Sequence, residues 1–156
     1  MTPPDRSRPN RPARVTIAVL FALLATVLGP FLGGIVMLVT SINLLNSNAS
    51  MADVNGPLGI LLGVICFAYG IVLGLYVILT GWGSAGGRIW TTLLLAVVLL
   101  LAAGMTLVYI NEGAAVLELA PPALVVICSA GAVILLWGGS AVKRYFARAR
   151  ATRTSL

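Results

Sequence analysis

The chain has 156 residues, 60% of them hydrophobic and only 9% charged, with a mean hydropathy of +1.06 and a net charge of +6. Soluble globular domains carry about a quarter charged residues, so this composition excludes an ordinary soluble fold and calls for lipid as the solvent. The basic residues sit in two short tails beside apolar segments, with no aromatic-rich binding module between them, so the charge is not that of a nucleic-acid-binding protein and reports topology instead.

Residues 1–14 hold four Pro and four Arg, a composition that cannot build a packed core and reads as a disordered basic tail. The first apolar run spans 15–45 and is interrupted by Gly29, Pro30, Gly33 and Gly34, which predicts a tilted or kinked helix near Pro30. A basic start before an apolar run also describes a secretory signal, but this run is too long and has no A-x-A site at its end, so it reads as a retained first span. A polar loop follows from Asn46 to Pro57 and contains the glycosylation-type triplet Asn48-Ala49-Ser50. The second span covers 58–80 and the third 89–110. After a loop from Asn111 to Pro121, the fourth covers 122–142, passes Trp137, and is expected to continue as a helix into the basic segment 143–156. Pro57, Pro121 and Pro122 are expected in helix first turns, where a missing N–H costs nothing.

Charge tests this layout independently. Arg6, Arg8, Arg11 and Arg14 precede span one, Arg88 lies between spans two and three, and Lys143, Arg144, Arg148, Arg150 and Arg153 follow span four. The other two loops hold Asp53, Glu112 and Glu118 and no basic residue. Because cytoplasmic loops are enriched in Lys and Arg, four spans with both termini in the cytoplasm put every cation on one side, whereas three or five spans break the pattern. Trp82, Trp90 and Trp137 fall at the same boundaries, where amphipathic rings settle at headgroup level. With Arg88, Lys143, Arg144, Arg148 and Arg150 they form the expected anchors to anionic lipid headgroups.

Two stretches echo one another. Val77 to Arg88 and Val133 to Arg144 are identical at seven of twelve positions, and both leave a span on the basic side. Duplication of a helical hairpin and chance similarity between helix ends rich in Val, Leu, Gly and Trp both account for this.

Without a hydrophobic drive between helices in lipid, association depends on close backbone approach at small residues. Gly59, Gly63, Cys66, Gly70 and Gly74 recur at spacings of four, three, four and four, and so share one narrow face of span two. Gly29 and Gly33 make a further GxxxG step in span one. The expectation is a close crossing of spans one and two, with a homodimer interface as the alternative use of the same face.

Equally informative is the chemistry that is missing. The spans contain no Asp, Glu, Lys, Arg or His, and His is absent throughout, which excludes the membrane-embedded carboxylate of small proton-coupled exporters. Cys66 and Cys128 are not a C-x-x-C pair, which argues against a quinone-linked disulfide oxidoreductase, and two thiols without His cannot complete a zinc site. Lying at similar depth, they read as small apolar packing residues, with a disulfide as the lesser alternative. Glu112 and Glu118 are the only acid–base candidates and read as solvated loop charges. No catalytic residue, metal or cofactor is expected. From Ser140 to Ala151, Val142, Tyr145, Phe146 and Ala149 share one face of a helix while Lys143, Arg144, Arg148 and Arg150 lie mostly on the others, a juxtamembrane basic helix.

The Gly87-Arg88-Ile89-Trp90 entry, the Ala, Gly, Val and Arg usage, and the basic end Lys143-Arg144-Tyr145-Phe146-Ala147-Arg148 resemble uncharacterised small four-span membrane proteins of high-GC Gram-positive (actinobacterial) type. The resemblance implies a cytoplasmic-membrane location and carries no activity to particular residues, while the Gly-rich stretch Gly81 to Gly87 departs from the more basic loop of such proteins. The reading is therefore an all-α four-helix transmembrane bundle, acting without catalysis through contacts with lipid, another membrane protein or itself, as an accessory subunit or scaffold. A homo-oligomeric, holin-like pore is the alternative, and a lipid-acting enzyme using Glu112 or Glu118 is a third.

Overall fold

A computed structural model describes residues 12–46, 52–113 and 115–154, and among these the regular structure is helical throughout. In chain order the elements are α1 (Ala13–Thr26), a π-helical turn (Val27–Phe31), α2 (Leu32–Asn46), α3 (Ala52–Gly81), α4 (Ala85–Asn111), α5 (Val116–Trp137) and α6 (Ser140–Thr154). Four stretches are long and apolar enough to cross a bilayer: Ala13–Asn46, Gly56–Gly81, Ala85–Asn111 and Glu118–Trp137. The chain is a multi-pass membrane protein folded as a four-helix bundle, with helices whose outer surfaces are covered by exposed Leu, Ile and Val. Most of the N-terminal tail, residues 1–11, and the triplet Asn48-Ala49-Ser50 lie outside the described residues.

The interruption in span one is a single wide turn. Pro30 has no N–H to donate to the carbonyl four residues back, and the chain accommodates the loss by widening to a π turn over Val27–Phe31 rather than ending the helix. The two halves of the span then pack differently. On the N-terminal side α1 lies between α3 and α5, and with α4 against both of those it closes a ring of four helices. Beyond the turn, α2 packs chiefly on α3. The main core accordingly occupies the middle and the α1 half, where Ala22, Ala25, Leu73, Val77, Leu95, Val98, Val125, Cys128 and Ala132 bury one another.

Three expected boundaries shift. Pro57 is not in a first turn: α3 begins at Ala52, and Pro57 is already inside the helix. Likewise α5 begins at Val116, ahead of Pro121 and Pro122, so the loop after α4 is short. Glu118 in the first turn of α5 favours this earlier start, because a carboxylate there complements the unsatisfied N–H groups and the helix dipole. Span four does not run on into the basic segment. It stops at Trp137, the chain breaks at Gly138 and Gly139, and α6 is a separate helix, because Gly139 adopts φ +93°, a conformation no helix contains. Gly83, which occupies the equivalent place in the sequence echo, has φ +80° and likewise precedes a serine that opens the next helix. The shared motif is a helix stop followed by a restart. After Ser84, whose hydroxyl caps α4 by accepting from the Gly87 N–H at 3.1 Å, the chain returns through the bundle, whereas after Ser140 it crosses the bundle's end.

Candidate functional site

Polar groups inside the bundle tie helices together. The Thr80 hydroxyl donates to the Tyr76 carbonyl at 2.8 Å, so at the 2.9 Å Thr80–Thr91 contact it is Thr91 that donates, joining α3 to α4. Tyr69 donates to the Leu94 carbonyl at 2.6 Å, a second α3–α4 link, and the Trp137 indole N–H donates to Thr92 at 2.9 Å, linking α5 to α4. Inside the bundle, away from water, the Thr80–Thr91 and Tyr69 bonds replace unsatisfied groups in hydrocarbon and so resist separation of α3 and α4. The Ser129 hydroxyl is fully buried and has no hydrogen-bond partner among the described residues.

The glycine residues of the GxxxG patterns divide by environment. A Cβ on Gly63 would lie 2.7 Å from Leu38 and 3.1 Å from the Gly34 carbonyl oxygen, one on Gly59 would collide with the Ser41 hydroxyl, and one on Gly70 would lie 2.8 Å from the Phe31 ring. Gly29 faces the other way, 3.4 Å from Val98 and Val125, and Cys66 packs at the Gly34 position. Gly33 and Gly74 correct the expectation: a Cβ on either would meet nothing else within 4 Å among the described residues, and Gly33 is exposed. The close approach in span one is made by Gly34 instead, where a Cβ would sit 3.0 Å from the Gly63 oxygen and 3.1 Å from the Phe67 nitrogen. The wide turn over Val27–Phe31 changes the helical phase, so Gly29 meets α4 and α5 while Gly34, and not Gly33, meets α3.

At the basic end the anchors also divide. Arg88 is no free anchor: its guanidinium lies 4.2 Å from the Trp137 ring centre and 4.9 Å from that of Phe146, cationic face against two aromatic faces. Trp90 is exposed and stacks on Tyr76 at 5.9 Å, while Trp82 projects outward. On α6, Val142, Tyr145 and Phe146 are buried against Val15 and Val19 of α1, and the Tyr145 hydroxyl donates to the Gly81 carbonyl at 3.3 Å. The apolar face of this helix therefore closes the end of its own bundle. Lys143, Arg144 and Arg148 are exposed on its other face, and the side chain of Arg150 lies outside the described residues. The Arg14 guanidinium rests against Gly139, 2.8 Å from where a Cβ would stand, and the Arg144 guanidinium donates to the Ser140 hydroxyl at 3.5 Å.

At the opposite end Glu112 and Glu118 are exposed. A shallow apolar groove nearby, between α4 and α5, is lined by Ala103, Thr106, Leu107, Ala123, Val126 and Ile127 and contains neither carboxylate. Both thiols are free: Cys128 sits in the central cluster and Cys66 at the α2–α3 crossing. Among the described residues no three His, Cys, Asp or Glu side chains gather as metal ligands would. The chain matches no family model, no curated protein and no solved structure.

Sequence reasoning missed Gly34, the Thr80–Thr91 pair and the enclosure of Arg88. Thr80 and Thr91 stand eleven residues apart across a turn, and only the Gly83 stop brings them to the same depth. The signal for Arg88 was present in the aromatic residues placed one turn or less from each basic boundary.

Proposed function

We propose that this protein is a non-enzymatic integral membrane protein with its basic end in the cytoplasm, working through helix–helix contacts at its lipid-facing surface as an accessory subunit or small scaffold of the cytoplasmic membrane. The observation that carries this reading is the interior. Leu73, Val77, Leu95, Val98 and Ala132 fill the middle of the bundle, and residues 15–45, 58–80, 89–110 and 122–142 contain no Asp, Glu, Lys, Arg or His. A packed interior without Asp, Glu, Lys, Arg or His offers neither a solvated path nor a charged relay, so partners meet the outer surface. Gly33 of α2 and Gly104 of α4 supply that surface with exposed small residues where an added Cβ would meet no other part of the described chain within 4 Å, which is the local shape a neighbouring helix uses for close approach.

The same glycines support a second reading, a homo-oligomer enclosing a pore on its axis rather than within each copy. Affinity purification of the tagged protein from its native membrane in mild detergent, read by mass spectrometry, separates the two. A stoichiometric second protein is the expected result. Recovery of the chain with only its own copies, together with ion conductance in liposomes, would establish the pore instead.

A further inference from the structure

We propose that the basic end carries a binding site for the phosphate of an anionic phospholipid, formed by Arg14, Lys143 and Arg144 around the turn between α5 and α6. Two guanidinium groups from distant parts of the chain reach adjacent residues of this turn. That of Arg14, in the first turn of α1, lies against Gly139, and that of Arg144 reaches back to Ser140, the next residue. Both arginines are exposed, and Lys143 is exposed beside Arg144.

Three observations point to a lipid headgroup as the occupant. Among the described side chains, the carboxylates of Glu112 and Glu118 belong to the opposite ends of α4 and α5, so neither of them neutralises this pair. Like charges held on adjacent residues repel unless an anion joins them, and a phosphate oxygen pair matches the guanidinium fork. The turn also lies at phosphate depth, because it follows directly on Trp137, whose exposed indole marks the headgroup level. Finally, the cationic face is fixed before any lipid arrives. Burial of Val142, Tyr145 and Phe146 against α1 and the Tyr145 bond to Gly81 hold α6 in one orientation, with Lys143 and Arg144 turned outward. The inference rests on the membrane-spanning fold and not on the proposed role of the lipid-facing glycines.

The test uses the full-length protein in mild detergent, titrated with phosphatidylglycerol or with phosphatidylcholine and read by native mass spectrometry as retained lipid. Each cation near an anionic headgroup is worth about fivefold in affinity, so Arg144→Gln is expected to weaken phosphatidylglycerol retention about fivefold and Arg14→Gln with Arg144→Gln about 25-fold, with phosphatidylcholine retention unchanged. Both side chains are exposed, so helical content by circular dichroism stays at the wild-type value, and the single variant serves if the double one does not fold. Equal retention of the two lipids by the wild type overturns the proposal. So does a double variant that keeps the preference, or an acidic protein that occupies this end and is lost with the two arginines while no lipid preference exists.

Discussion

Glycine carries opposite meanings one residue apart. At Gly34 a methyl group meets backbone atoms of α3 at 3.0 and 3.1 Å, atoms that move only if the whole helix moves, whereas at Gly33 it meets nothing. Gly34→Ala should therefore destabilise the bundle by ~1–3 kcal/mol through overpacking, while Gly33→Ala should leave it unchanged or gain ~0.5–1 kcal/mol from helix propensity. Reversible unfolding of the detergent-solubilised protein, followed by circular dichroism, reads both. Ser129 gives a second contrast: its buried hydroxyl lacks a partner, so Ser129→Ala removes a desolvated group and should hold or raise stability by ~1 kcal/mol in the same assay. Gly63 and Gly70 were legible in the sequence because small residues at helical spacing have one outstanding use in lipid. Gly34 was not, because its facing depends on the π turn, and a one-residue change in helical phase cannot be read from spacing that presumes a uniform helix.

Among elements, α6 departs furthest from what the sequence led one to expect. Its two faces were legible, with Val142, Tyr145 and Phe146 opposite the basic residues, but an amphipathic helix beside a membrane has two surfaces on which to bury its apolar face, and periodicity does not choose between lipid and protein. The choice is made at Gly139. Its φ of +93° turns the chain beneath α1 and beside Arg88, and the ring of Phe146 then covers the guanidinium. Gly139→Ala forces a side chain into the left-handed region and against Arg14, at a cost of ~1–2 kcal/mol, and should release α6. The expected readout is faster amide hydrogen exchange in 140–154, with α3 and α4 unchanged. Undisturbed exchange there would mean that docking does not depend on the turn. The π turn is the other element-level device: it lets one span serve α1–α5 packing in one half and α2–α3 packing in the other, leaving α2 on the side of α3 and the α4–α5 groove uncovered.

For the whole molecule, span number was legible, because the bilayer fixes helix length, and the four-span layout read from the sequence puts the basic segments on one side. Contacts from Arg88 to Trp137, from Tyr145 to Gly81 and from Arg14 to Gly139 bring those basic segments to one end of the bundle. Partners were not legible, since a lipid-facing surface and a protein-facing one in the same membrane are built from the same apolar residues, and only small residues that stay uncovered once the bundle has closed distinguish the second. The proposed function turns on that distinction: Gly34, Gly63 and Gly70 make close contacts within the bundle, and Gly33 and Gly104 are small residues left on its outer surface. The decisive measurement is native mass spectrometry of the complex released from native membranes in mild detergent, comparing the wild type with Gly33→Leu and Gly104→Leu. The account predicts a stoichiometric complex for the wild type and its loss in at least one variant, with helical content and unfolding midpoint unaltered. A wild-type chain that is released alone, or a complex indifferent to both substitutions, would contradict it.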